Sequence, residues 1–193
     1  MEAALKPVLQ KVQQKVQRYT YSDYCTWDDD KRWELIDGIA YAMAGASQSH
    51  QSISVEILFQ LKQFLRGKEC KVFHAPFDVR LNAETKDNTV VQPDLLVICD
   101  QSKLDDKSCI GPPDMIVEIL SPSTATRDRL LKFEKYRQAG VREYWIVDPD
   151  AKMVSVQILK DGEYTTHVYG ENSRVLVHVL EGCTVDFAEV FVE

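Results

Sequence analysis

No run of about 18 apolar residues occurs in the chain, so no segment reads as a membrane span. The opening stretch, MEAALKPVLQKVQQKVQRYT, lacks an apolar core and a small-residue cleavage site, and is not read as a secretory signal. Cysteines are few and unpatterned. Cys25, Cys70, Cys99, Cys109 and Cys183 are odd in number, scattered and free of any CxxC, so neither a zinc site nor a disulfide frame is expected. They read as reduced thiols of a cytoplasmic protein. A basic excess is missing as well: 23 Lys and Arg stand against 30 Asp and Glu, a formal charge of −7. That argues against a chain coated in nucleic acid or anionic lipid, but not against a local basic surface beside an acidic site. Internal repeats, low-complexity tracts and a recognisable DNA-reading motif are also absent. His74, His167 and His178 have no ligand spacing and are taken as structural.

What is present suits one globular domain over residues 1–193, with 45% hydrophobic and 27% charged residues. An amphipathic helix is expected over 3–18. Trp33–Ile36 and Ile39–Met43 flank Asp37-Gly38, a two-residue hairpin signal. Ile53, Ile57, Leu61 and Phe64 recur at helical spacing in a helix from Ser47 to Arg66, stopped by Gly67. Residues 71–81 alternate as one half-buried strand. A polar loop is expected from Asp100 to Pro113, and a helix from about Thr126 to Ala139, ended by Gly140. Tyr144–Val147 reads as a strand. The β-rich tail, 150–193, holds a hairpin about Asp161-Gly162 and an apolar run, Val175–Leu180. The strand–helix–strand step from Met115 to Val147 suits a crossover unit. The expected fold is therefore α/β (α+β), a central mixed sheet flanked by helices with hairpin additions and a core over about 33–149.

Two apolar strands carry carboxylates that buried strands rarely hold unpaired. Val90–Ile98 contains Asp94, and Asp114–Leu120 contains Glu118. Two such acids suggest a shared cation and metal-assisted chemistry. The following helix places Asp128, Lys132, Tyr136 and Ala139 within an arc of about 80°, a face that should point to the sheet and its carboxylates. Hydrolysis of a phosphodiester needs a metal to polarise the phosphoryl group and a cation to offset its charge. Asp94, Glu118 and Lys132 would form that minimal set, with Mg²⁺ or Mn²⁺ as cofactor.

These residues carry a resemblance. Gln92-Pro93-Asp94 followed by Glu118-Ile119-Leu120 resembles the PD-(D/E)XK nucleases. More closely, the chain is similar to the Uma2 family, formerly DUF820, restriction-endonuclease-like proteins abundant in cyanobacteria. The matching pieces are Trp33–Gly38, Ser49-His50, Gln92-Pro93-Asp94, Val117–Ser123, Asp128 with Lys132 and Tyr136, and Gly140–Pro149. The resemblance implies a restriction-endonuclease-like core, a divalent metal held by Asp94 and Glu118, and DNA as partner. Leu120 stands where the general pattern has its lysine, and Lys132 is the natural replacement. The early acid of the pattern has Glu34 as its candidate. His50, Gln92, Asp128 and Tyr136 are possible accessory residues.

Plainer readings stand beside these. Pro93-Asp94 can simply open a strand, and Glu118 with Lys132 can be a buried structural ion pair. Glu34 can pair across its hairpin, and His50 can cap or pack. Ser121 and Ser123 turn the chain; no base is spaced to activate them. Between 127 and 143, six Lys and Arg face three acids, which suits phosphate contact or a solvated helix face equally. The functional readings are a metal-dependent DNA endonuclease acting as a homodimer, or a non-catalytic homodimer that keeps the fold for binding or scaffolding. A small-molecule hydrolase using the same metal site comes third.

Overall fold

The computed structural model describes residues 17–122 and 124–192. The helix expected over 3–18 lies outside the described residues but for its last two positions, and Ser123 lies outside them too. Along the chain come α1 (Tyr21–Tyr24), β1 (Trp33–Ile36), β2 (Ile39–Ala42), α2 (Gln48–Leu65), β3 (Lys71–His74), β4 (Asp78–Arg80), β5 (Val90–Val91), β6 (Leu95–Ile98), β7 (Ser108–Ile110) and β8 (Met115–Ile119). A π-helical stretch, Arg127–Lys132, then runs into α3 (Phe133–Ala139). After it come β9 (Glu143–Asp148), β10 (Met153–Lys160), β11 (Glu163–Gly170), β12 (Arg174–Leu176), β13 (Thr184–Asp186) and α4 (Phe187–Val190).

The strands form two mixed sheets and a small third one. One sheet has the order β2-β1-β5-β4-β7, the other β11-β10-β9-β8-β6-β3, and β12 pairs with β13. β8 and β9 are parallel neighbours joined through the π stretch and α3, as a crossover unit requires. Both hairpin signals form tight turns. Asp37 and Gly38 have φ of 52° and 79°, and Asp161 and Gly162 have 52° and 83°, the doubly positive pattern of a two-residue turn.

The six-stranded sheet lies between two cores. On one face the buried stripe of α2, with Ile53, Ile57, Leu61 and Leu65, packs with Leu95, Val97, Met115, Val117 and the C-terminal residues. Ser47 caps that helix through its hydroxyl, which accepts from the His50 amide at 3.2 Å. On the other face Tyr136 of α3 packs with Leu96, Ile98, Ile116, Tyr144 and Ile146. Glu143 ties the tail to this sheet: its buried carboxylate accepts from Trp145 Nε1 at 2.7 Å and from the Val179 amide at 2.9 Å.

Several expectations need correction. The strand expected over 71–81 is two strands in different sheets, broken at Ala75-Pro76, a cis peptide. The first acidic strand is likewise split, β5 in one sheet and β6 in the other, with Pro93 between them. Proline has no N–H for a ladder, so each break falls where the chain leaves one sheet for the other. The two crossings lie side by side, the Ala75 amide donating to the Asp94 carbonyl at 3.1 Å. The loop expected from Asp100 to Pro113 holds a 3-10 turn, Gln101–Lys103, and β7, which pairs in parallel with β4. In the run Val175–Leu180 only Val175 and Leu176 are strand. The cysteines are not all reduced thiols: Cys70 and Cys99 form a disulfide. Cys70 precedes β3 and Cys99 follows β6, and the register Lys71↔Ile98 sets them opposite one another. The cysteines therefore give no argument for a reducing compartment. Among the described residues no helix is long and apolar enough to cross a membrane.

Candidate functional site

The site lies where the two sheets meet. Side chains alternate across a strand, so the face that carries Leu96 and Ile98 also carries Asp94, and the face with Ile116 also carries Glu118. β6 and β8 are antiparallel neighbours, with Leu95 opposite Val117, which puts Asp94 beside Glu118 on one face. Asp94 Oδ2 accepts from the Ile119 amide at 2.7 Å and lies 3.2 Å from His50 Nε2. β1 brings Glu34 from the other sheet, and the π stretch brings Arg127, Asp128 and Lys132.

Lys132 is the hub. Its ammonium is 2.8 Å from Glu34 Oε1, 2.9 Å from Glu118 Oε1 and 3.5 Å from Asp128 Oδ1, and the residue is only 3% exposed. Tyr136 donates its hydroxyl to the same Glu118 oxygen at 2.6 Å. Glu34 Oε1 also accepts from the Gln92 amide at 3.0 Å, and its Oε2 lies 3.5 Å from Arg127 Nη1. Tyr144 of β9 fixes the π stretch from below, donating to the Asp128 carbonyl at 3.0 Å. Such π turns occur often at functional sites, where they re-aim side chains.

Burial pushes the Glu118 carboxyl well above the usual range; the Lys132 ammonium opposes this, and the charges of Asp128, Asp94 and Glu34 add to it. Burial would lower Lys132, but Glu118, Glu34 and Asp128 outweigh it and hold the ammonium charged, well above its ordinary value. Asp128 is raised by burial, with Lys132 opposing. His50 is lowered by burial yet ends above its ordinary value through its hydrogen bond to Asp94, the Asp94 charge and the Ile119 carbonyl.

All the singled-out residues border or support one cleft of about 140 Å³. Glu34, Asp94, Glu118, Asp128, Lys132, His50 and Gln92 line it; Tyr136 stands behind Glu118. The Gln92 side chain is buried among Arg32, Tyr24 and Asp78. Its Oε1 accepts from Arg32 at 3.0 and 2.7 Å, and its Nε2 donates to Tyr24 Oη and Asp78 Oδ1. Arg32 and Arg127 also line the cleft, and neither stands out by spacing in the sequence. Their signal is adjacency: each directly precedes or nearly precedes a site acid, Glu34 or Asp128.

Can these residues hold a divalent ion? Four carboxylates, Glu34, Asp94, Glu118 and Asp128, face three cations at the lining, Arg32, Arg127 and Lys132. The acids exceed the bases by one formal charge, so the cleft favours a cation over an anion. His50 Nδ1 is buried without a hydrogen-bond partner, and Asp128 Oδ1 has no hydrogen bond beyond its 3.5 Å ion pair with Lys132. Among the described residues no group of three or more His, Cys, Asp or Glu is set to hold an ion by itself. Mg²⁺ needs no such cage, since one or two carboxylates and several waters suffice. The donor set therefore fits a hard cation, with Asp94 and Glu118 as the carboxylates on neighbouring strands.

Comparison with known proteins bears on the family and the fold. Residues 20–188 match the Uma2 family, described as "Putative restriction endonuclease". The uncharacterized Synechocystis protein slr1290 is 34% identical over 157 residues, 79% of this chain and 81% of that protein. A second uncharacterized Synechocystis protein, sll1609, is 30% identical over 148 residues, 74% of this chain and 81% of its own length. A crystal structure from Anabaena variabilis, described as "a putative nuclease belonging to DUF820", superposes with a TM-score of 0.70. It shares 18% identity and covers 90% of this chain and 97% of its own, which establishes the common fold.

Proposed function

The chain belongs to the Uma2 family, and on that premise we propose that it is a divalent-metal-dependent DNA endonuclease hydrolysing phosphodiester bonds. The observation that carries this reading is the convergence of Glu34, Asp94, Glu118 and Lys132 on one cleft, from two strands, the bend that opens β6 and a π turn. Asp94 and Glu118 would hold Mg²⁺ or Mn²⁺. The ion, when bound, would polarise the phosphoryl group and make a water more acidic. Lys132 supplies a compact ammonium next to Glu118, suited to orienting a water or offsetting charge on the phosphoryl oxygens. Tyr136 fixes the Glu118 carboxylate, and His50 fixes Asp94 against the Ile119 backbone. A homodimer is the expected assembly, since two-fold oligomers are the commonest and duplex cleavage needs two sites.

The test is cleavage of mixed plasmid and single-stranded DNA. Cleavage should require Mg²⁺ or Mn²⁺ and be lost in Asp94→Ala and Glu118→Ala. Equal cleavage by the Glu118 variant would point to a contaminating nuclease and remove the support for this reading.

One observation favours the non-catalytic alternative. Lys132 already bridges the carboxylates, at 2.8 Å from Glu34 and 2.9 Å from Glu118, as a structural counter-ion would. Absence of both metal binding and cleavage would move the assignment to a homodimeric binding protein that keeps the fold.

A further inference from the structure

We propose that Arg127, together with Arg32, is the phosphate-binding pair through which this cleft takes a nucleic-acid backbone; the proposal rests on the nuclease reading above. A cleft lined by four carboxylates repels a polyanion, so cations at its lining must offset that repulsion. Lys132 is unsuited to this as it stands, being 3% exposed and in contact with three acids.

The basic stretch from 127 to 142 narrows the choice. Arg129 is paired with Asp148 at 2.6 Å, Lys135 with Asp37 at 2.8 Å, Arg137 with Glu134 at 2.8 Å and Arg142 with Asp114 at 2.9 Å. These are committed to the protein's own acids. Arg127 differs. Its one hydrogen bond among the described residues, to Glu34 Oε2, is 3.5 Å long, at the edge of bonding range. Its guanidinium carbon lies 4.7 Å from the centre of the Tyr41 ring, which holds the planar fork, and its side chain keeps 17% exposure in the cleft. Most of its five N–H donors are thus uncommitted and pre-oriented, the state suited to bidentate contact with a phosphate.

Arg32 is aimed by the same scaffold. Its Nε and Nη2 donate to Gln92 Oε1, while the Gln92 amide donates to Glu34 Oε1. Glu34 therefore faces Lys132 and Gln92 with one oxygen and Arg127 with the other, and links the phosphate-binding pair to the acidic centre.

The experiment is fluorescence anisotropy of the full chain with labelled duplex and single-stranded DNA in Ca²⁺, over a salt series, for wild type, Arg127→Gln, Arg127→Lys and Arg32→Gln. Arg127→Gln removes the charge and the planar fork but keeps a polar side chain, and its thermal midpoint confirms folding. It should weaken binding about tenfold, the loss of one charge-assisted hydrogen bond. The slope of log K against log salt should fall by about 0.9, one phosphate contact. Arg127→Lys should keep the slope while losing part of the affinity, and Arg32→Gln should lower both less. Unchanged affinity and slope in Arg127→Gln, with wild type binding DNA, would overturn the inference alone. Wild type that binds neither DNA at any salt would overturn the nuclease reading together with it.

Discussion

Lys132→Met is the perturbation that bears most on the site. The side chain is nearly isosteric but uncharged, so three buried acids lose their common partner. Glu34, Glu118 and Asp128 are 1%, 4% and 2% exposed and cannot turn to water for compensation. Removing one member of a buried ion pair costs about 3–5 kcal/mol. For a chain of this size that is a fall of roughly 6–20 °C in melting temperature, at about 2–4 °C per kcal/mol. The penalty should depend on pH. Glu118 titrates above its unfolded value through burial, and loses the opposing ammonium in the variant. A carboxyl raised on folding binds more protons in the native state, so the variant gains stability as pH falls through its folded value and is weakest at alkaline pH. A divalent cation should restore much of the loss, since it supplies the missing positive charge; at a concentration of 100 Kd it adds about 2.7 kcal/mol. The assay is thermal melting of wild type and variant across pH, in EDTA and in Mn²⁺. A variant that melts with wild type in EDTA would refute the claim that Lys132 neutralises the cluster. A variant that is destabilised yet indifferent to Mn²⁺ would refute the claim that the same acids attract a cation.

Other outcomes follow from single contacts. Reducing Cys70–Cys99, or replacing both by serine, frees a loop with a sequence separation of 29, worth about 3–4 kcal/mol of chain entropy; denaturant unfolding with and without reductant measures it, and an unchanged midpoint would show that the bond does not stabilise the fold. Tyr136→Phe removes a 2.6 Å hydrogen bond to the buried Glu118 carboxylate and should cost about 1.5–3 kcal/mol with no change in denaturant slope. Light scattering at tens of micromolar protein should give the mass of a dimer; a monomer mass would remove the assembly expected above.

Local signals were legible and long-range ones were not. Asp37-Gly38 and Asp161-Gly162 announce their hairpins because few residues accept two positive φ angles in succession. The spacing of Asp128, Lys132 and Tyr136 foretells that all three meet near Glu118, and it survives the π turn because Asp128 and Lys132 remain within 3.5 Å. The π turn itself has no such signature. Pro76 and Pro93 were the clue that two apparent strands change sheets, but alternation on either side of each proline hides the break. The Cys70–Cys99 bond depends on the register of β3 against β6, which no local spacing records. Arg127 was one base among six until the structure paired the others with acids.

The central claim is that Asp94 and Glu118 share a divalent ion. The most direct measurement is anomalous scattering from a crystal of this protein soaked in Mn²⁺. A peak within about 2.6 Å of carboxylate oxygens of both residues is expected, with Lys132 Nζ displaced from at least one acid. A Mn²⁺-free cleft at saturating ion, with Lys132 still bridging Glu34 and Glu118, would contradict it.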